Sequence, residues 1–396
     1  MEEEEQQTMM SADAQQRDYF FDDPVLGYTA AATATTRYNL LGNLEMLDPL
    51  VSLAKDTYET MDMTKNIKKE RKEQSDVVIR KLVNFVKSIL LKRHGQSSQK
   101  FSFSSTTRTA KKDLALKIMD LGCGHGQDIY KLKSISPEFV IFVDISDQCL
   151  TEAEKRWKVN KYPFEASFIQ ANFCEKNLFS GMDITLAKYD PLQHKHGEKR
   201  EAIIGRRIIA GEGGFVDVIS CQLSAQYAFH SQKSAEQFIE NISRALHKGG
   251  IFMGTVPDGK VICEKLAKGL LANNTSSSGS SSSSSSSMHI GKHYSLYSSD
   301  FSGQVASAIP YTFSMDGDDF KSREYTVIMD DLINLARKHG LHLVHRENMS
   351  MFVTNEIRNK KNTFLIDRMN IKESEITVND IDFLETSSIF VFVKLQ

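Results

Sequence analysis

Ile118-Met119-Asp120-Leu121-Gly122-Cys123-Gly124-His125-Gly126-Gln127-Asp128 reads as a buried strand that breaks into a glycine-rich turn and then opens a helix. Glycine has no side chain and tolerates unusual dihedrals, so such a turn lets backbone approach a nucleotide-like ligand closely. The dinucleotide fingerprint needs a third glycine three residues after the second. Gln127 stands there, so that fingerprint fails. An ordinary strand-to-helix connection remains the plain alternative. A second acid speaks against it: Phe139-Val140-Ile141-Phe142-Val143-Asp144 is an apolar run ending in an aspartate, about 20 residues past the glycines. An open α/β sheet uses that position to accept hydrogen bonds from ribose hydroxyls. Asp144 could instead cap the next helix, but Ser146 or Asp147 can do that equally well.

Composition narrows the class. The chain has 396 residues, 40% hydrophobic and 25% charged, enough for a sizeable core. A formal charge of −2 argues against a general electrostatic nucleic-acid binder, so any anion site must come from local clustering. The five cysteines are scattered, without Cys-x-x-Cys spacing, and suggest neither a disulfide framework nor a zinc site. No metal is expected. No apolar run reaches the roughly 18 residues needed to span a bilayer, and the acidic N-terminus is unlike a secretory signal. A soluble intracellular enzyme is the expectation.

Residues 1–75 read as a poorly ordered tail, acidic at first and ending in the basic run 65–72. From 76 onward the pattern is regular. A helix is expected over 76–91, and strands over 116–120, 139–144, 166–170, 215–221 and 250–254. Helices near 126–134, 146–158 and 232–246 alternate with them, the signature of a parallel sheet covered on both faces. A helix at 325–339 and strands at 341–344 and 388–393 follow. Two insertions interrupt the pattern: a basic one at 188–214, and a nearly pure serine stretch at 273–287 that reads as a flexible linker.

The spacing Asp-x-Gly-x-Gly-x-Gly resembles the first motif of S-adenosylmethionine methyltransferases. More specific are two loops at strand ends, Ser220-Cys221-Gln222 with Gln226-Tyr227-Ala228-Phe229, and Gly254-Thr255-Val256-Pro257-Asp258. With Val83-Asn84-Phe85-Val86-Lys87-Ser88-Ile89-Leu90, Tyr311-Thr312-Phe313 through Glu324-Tyr325 and Thr386-Ser387-Ser388-Ile389-Phe390, they make the chain similar to the eukaryotic mRNA cap guanine-N7 methyltransferases over 76–396. The resemblance implies a Rossmann-like class I methyltransferase fold: a mostly parallel seven-stranded sheet with helices on both faces and an antiparallel last strand. It implies S-adenosylmethionine as co-substrate and 5′-capped RNA as partner. It also implies a nuclear location and a monomer that meets other capping enzymes or an activating subunit.

Carried over position by position, the resemblance places Lys87, Gly122, Gly124, Asp144, Asn172, Gln222 and Tyr227 at the cofactor. It places Asn84, His125, Lys131, Arg156, Gln226, Glu324 and Phe390 around the cap, with Glu324 and Tyr227 at the reacting centre. The chain departs from the family's usual residues at Val83, His125, Asn172, Gln226 and Phe390. Asn172 is expected to meet the adenine amino group through its carbonyl. His125 should hold phosphate weakly at neutral pH. Lys131 and Arg156 suit a triphosphate. Glu324 would accept from guanine N1–H and the exocyclic amine; the bland alternative is an exposed glutamate at a helix start. Two other functions compete: a methyltransferase with a drifted acceptor, and a catalytically weak RNA-binding regulator.

Overall fold

The computed structural model describes residues 36–39, 76–95, 116–174, 214, 216–276, 286–290, 294–315 and 321–395. All belong to one compact unit, Thr35–Gln396. The basic run 65–72 and residues 188–213 of the basic insertion lie outside them.

The chain runs β1 (Thr36–Asn39), α1 (Asp76–Gly95), β2 (Lys117–Leu121), α2 (Ile129–Lys133), β3 (Phe139–Asp144), α3 (Asp147–Val159), β4 (Glu165–Gln170) and β5 (Val216–Gln222). A 3-10 turn (Ala225–His230), α4 (Gln232–Ala245), β6 (Leu246–Pro257) and α5 (Gly259–Ser276) follow. Next come four short strands, β7 (Ser286–Ile290), β8 (Tyr294–Ser298), β9 (Pro310–Met315) and β10 (Lys321–Tyr325). The chain closes with α6 (Met329–Lys338), β11 (Leu341–Asn348), α7 (Met349–Ile357), α8 (Thr363–Arg368), α9 (Val378–Glu385) and β12 (Ser387–Lys394).

The main sheet has the order β1-β4-β3-β2-β5-β6-β12-β11. Strands β1 to β6 pair with one another in parallel, and β12 lies antiparallel to both β6 and β11. The expected seven strands and the antiparallel last one are therefore present, and β1, from within the expected tail, adds an eighth at the edge. Alternation explains why the sheet is covered twice. Met119, Ile141, Val143 and Ile219 point into one core, whereas Ile118, Val140, Phe142 and Val218 point into the other. The topology reverses between β2 and β5, so their carboxyl ends bound a crevice.

Three expectations change. The helix expected at 325–339 begins at Met329, because β10 runs through Tyr325. The serine-rich linker is shorter than expected, since α5 continues to Ser276 and β7 starts at Ser286. A separate antiparallel sheet, β10-β9-β8-β7, was not foreseen. Its strands carry serines at many positions and no continuous apolar run, so neither strand signal is strong.

Gly254 of β6 marks the tightest crossing of the sheet. A Cβ there would lie 1.9 Å from the Cys221 carbonyl oxygen and 2.9 Å from the Phe390 ring. The backbone atom cannot yield cheaply. Gly254→Ala is predicted to destabilise the fold by about 3 kcal/mol, the upper range of overpacking. Urea denaturation that shows an unchanged midpoint would contradict this packing.

Candidate functional site

The glycine turn follows β2 with left-handed backbone: φ is +68° at Gly122 and +51° at Gly124. A Cβ on Gly122 would meet Ser224 Oγ at 2.4 Å, whereas nothing lies within 4 Å of one on Gly124. Gly122 thus serves packing, and Gly124 keeps an open face. Its amide donates to Asp144 Oδ2 at 2.7 Å, while the Ser146 amide donates to Oδ1 at 3.0 Å. Ser146 Oγ caps α3 by accepting from Cys149 N at 3.1 Å. The cap duty falls to Ser146, and each oxygen of the largely buried Asp144 takes one of these two backbone donors.

Beneath the turn, acids and lysines interlock. Asp128 Oδ2 accepts from Lys87 Nζ at 3.0 Å and Oδ1 from Lys131 Nζ at 2.5 Å. Burial alone would raise the Asp128 carboxyl, but Lys131 and Lys87 outweigh it and hold it far below the usual range. Asp120, at the end of β2, is pushed up to about 7 by burial and by the Asp128 charge, with Lys87, Ser220 and Lys131 opposing. Lys131 is buried and its pKa is lowered by that burial. This corrects one expectation: Lys131 is held by Asp128 at the base of α2 and is not an unpaired phosphate ligand.

Asn172, two residues past β4, is 3% exposed. Its Oδ1 accepts from Cys174 N at 3.0 Å, and its Nδ2 has no partner among the described residues. The carbonyl expected to meet adenine already takes this backbone donor. The amide end left over is a donor. Gln222 ends β5 with both amide atoms engaged: Nε2 donates to Ser220 Oγ at 3.3 Å, and Thr255 Oγ1 donates to Oε1 at 3.2 Å. The next residue, Leu223, has φ +56°, a left-handed conformation costing about 1–2 kcal/mol for such a side chain. Its amide donates to Thr255 O at 2.9 Å, and its carbonyl accepts from Gln226 Nε2 at 2.9 Å. These bonds hold the strained bend that turns Gln226 and Tyr227 inward.

Glu324 lies on β10 directly opposite Tyr311 on β9. It is 9% exposed, and Tyr311 Oη donates to its Oε2 at 2.7 Å. Burial raises its pKa, while hydrogen bonds from Tyr311, Ser322 and Gln226 pull it back. No ion pair forms with Glu324 among the described residues. The exposed helix-start alternative is excluded. Tyr227 Oη and Ser322 Oγ are 2.9 Å apart, which ties the 3-10 turn to β10. Gln226 Oε1 is buried without a hydrogen-bond partner among the described residues.

The remaining residues divide. His125 sits in the glycine turn with its ring nitrogens 3.9 and 3.8 Å from Cys149 Sγ. Burial and then Arg156 lower its pKa, with Glu152 opposing, so the ring is neutral at pH 7. Arg156 is half-buried on α3, and Asn84 lies one turn before Lys87 on α1. Phe390 is fully buried, its ring centroid 4.9 Å from that of Phe252 and 5.6 Å from that of Phe392. The placement of Phe390 around a ligand is corrected to core packing. Asp128, Leu223, Tyr311 and Ser322 were not singled out from sequence as site residues. Asp128 had a visible signal at the end of the glycine stretch, and Tyr311 and Ser322 fell only within the late segment that carries the resemblance. Among the described residues no group of three or more His, Cys, Asp or Glu is placed to hold a metal ion.

A family model described as mRNA (guanine-N(7))-methyltransferase domain matches residues 50–395. The mRNA cap guanine-N(7) methyltransferase of Cryptococcus neoformans is 25% identical over 279 residues, covering 70% of this chain and 37% of that protein. The mRNA cap guanine-N(7) methyltransferase 1 of Arabidopsis thaliana is 25% identical over 287 residues, covering 72% and 64%. The chain thus spans between 37% and 64% of the length of these two relatives. A solved S-adenosylmethionine-dependent methyltransferase from Clostridium acetobutylicum is 11% identical, with a TM-score of 0.37 over 83% of this chain and 95% of that one. By the extent of the family match, this chain belongs to the mRNA (guanine-N(7))-methyltransferase domain family.

Proposed function

We propose that this chain transfers the methyl group of S-adenosylmethionine to N7 of the guanine cap of mRNA, acting in the nucleus. The observation that carries the reading is Glu324: a buried carboxylate with no ion pair among the described residues, hydrogen-bonded by Gln226 and joined through Ser322 and Tyr227 to the end of β5. Such a carboxylate suits a base that offers two N–H donors and gains positive charge in the reaction. Capped RNA is the substrate under this reading, and other capping enzymes or an activating subunit are the expected partners.

The residues present fit the cofactor. Gly124 has open space, the Asp144 carboxylate stands beside it, and Asn172 Nδ2 is a buried donor without a partner among the described residues. Asp144 would accept from the ribose hydroxyls. Asn172 would donate to a ring nitrogen of adenine. Gln222, Lys87 and Tyr227 would bound the remaining sides. When bound, S-adenosylmethionine supplies a sulfonium-activated methyl group.

Guanine N7 has a free lone pair and no proton to lose, so no residue need act as a general base. The work left to the chain is alignment, which is worth several kcal/mol when reacting atoms are held in line. Glu324 would fix the guanine edge and face the developing cation. Tyr311 and Ser322 would hold that carboxylate in its rotamer. Arg156 is the cation left for the triphosphate, since Lys131 is engaged by Asp128 and His125 is neutral.

Asp144→Ala is predicted to weaken S-adenosylmethionine by on the order of 2–3 kcal/mol, the scale of a hydrogen bond to a charged group. Calorimetry on the folded variant checks it, and unchanged affinity would remove Asp144 from the cofactor site.

Glu324→Gln is predicted to leave cofactor affinity intact while kcat/KM for capped RNA falls by roughly 10²-fold. The ionised form is the active one, so wild-type kcat/KM should fall as pH drops through the raised Glu324 pKa. That acid limb should vanish in the variant. An inosine cap, which lacks the exocyclic amine, should be discriminated against by wild type and much less by the variant. Equal discrimination by both proteins would show that Glu324 does not read that edge.

A further inference from the structure

Arg358-Asn359-Lys360-Lys361-Asn362-Thr363-Phe364-Leu365-Ile366-Asp367-Arg368 links α7 to α8 and spans the latter. It carries four cations against one carboxylate, in a chain whose formal charge is −2. Arg358, Lys360, Lys361 and Arg368 are exposed. Phe364, between them, is 64% exposed. On α3 the exposed lysines are already neutralised, Lys155 by Glu152 at 3.8 Å and Lys158 by Glu154 at 2.7 Å. Among the described residues no ion pair forms with Arg358, Lys360 or Lys361.

The segment is held in place. Glu356, just before it, accepts from Arg93 of α1 at 2.7 Å, from Asn362 at 2.7 Å and from Asn359 at 3.3 Å. Asn359 in turn accepts from the Lys361 amide at 3.2 Å. Glu356 is thus balanced by Arg93 and does not cancel the neighbouring cations. The far end of the strip reaches α2. The Arg368 guanidinium lies 4.5 Å from the centroid of the Tyr130 ring. Tyr130 belongs to α2, the helix that opens from the glycine turn and carries Lys131.

We propose that this strip is the path of the RNA chain beyond the cap, with phosphates on Arg358, Lys360 and Lys361 and a base stacked on Phe364. The inference rests on the capped-RNA reading above. Cations without partners release counterions when they meet phosphates, and an exposed ring offers a sequence-tolerant stacking platform. A rigid backbone adds to this by reducing the ordering cost of binding.

The test uses fluorescence anisotropy with a labelled capped RNA of about 20 nucleotides, together with turnover on a GpppG dinucleotide. The triple variant R358A/K360A/K361A should bind the RNA about tenfold more weakly at moderate salt, with a log–log salt slope shallower by about 2. Phe364→Ala should also weaken binding about tenfold, but with the slope unchanged. Both variants should turn over the dinucleotide as the wild type does, which also reports that they fold. Wild-type RNA affinity and salt slope in both variants would overturn the proposal and leave the strip to an acidic protein partner. A wild type that methylates neither substrate would overturn the cap reading, while the binding arm would still decide whether the strip holds RNA.

Discussion

Burying the Glu324 carboxylate with no ion pair among the described residues is the constraint that the candidate site answers to. Withdrawing an ionised group from water costs several kcal/mol, even after relaxation, unless hydrogen bonds or charge compensate. Here three neutral groups do part of that work: Tyr311 across the β9–β10 ladder, Ser322 two residues earlier on the same strand, and Gln226 from the 3-10 turn. Each comes from a different feature of the fold. The small antiparallel sheet sets the Tyr311 register, and the left-handed bend at Leu223 turns Gln226 toward it. Remaining compensation would come from the ligand, which is why a base with two donors fits so well.

The opposite wall follows a different electrostatic logic. Asp120, Asp128 and Asp144 lie at or beyond the ends of adjacent parallel strands, and the Asp128 charge makes ionising Asp120 costly. Two lysines lock Asp128 in its charged form, and the deeply buried Asp120 shifts up to about 7. Asp144 is stabilised by two backbone amides instead. The consequence is a division of labour: Asp128 organises Lys87 and Lys131 beneath the turn, and Asp144 faces the open side at Gly124.

The parallel core was readable because its strands are short, apolar and bounded by glycine or acidic residues. Phe139–Asp144 is buried at every position, which an unbroken apolar run announces. Glu324 illustrates the converse. Lys321-Ser322-Arg323-Glu324-Tyr325 has no strand-like run, and its burial comes from Tyr311, 13 residues away, and from a turn nearly 100 residues earlier in the chain. Lys131 could be paired with Asp128 on spacing alone, but the competing Lys87 is 41 residues distant. Phe390 was misplaced because its family position suggested a ligand contact, whereas alternation along β12 turns it toward Phe252. Helices α7 to α9 went unread as well, since their exposed faces carry apolar residues such as Met351, Phe364 and Val378 that blur the helical period.

Under the proposed function, the two walls hold a methyl donor and a guanine so that N7 is the atom modified. This is tested most directly by incubating the chain with methyl-labelled S-adenosylmethionine and GpppA-capped RNA, digesting the RNA to nucleosides and identifying the labelled product by mass spectrometry. Label is expected in 7-methylguanosine released from the cap, and uncapped RNA of the same sequence should stay unlabelled. Label in an internal nucleoside, or equal labelling of capped and uncapped RNA, would contradict it.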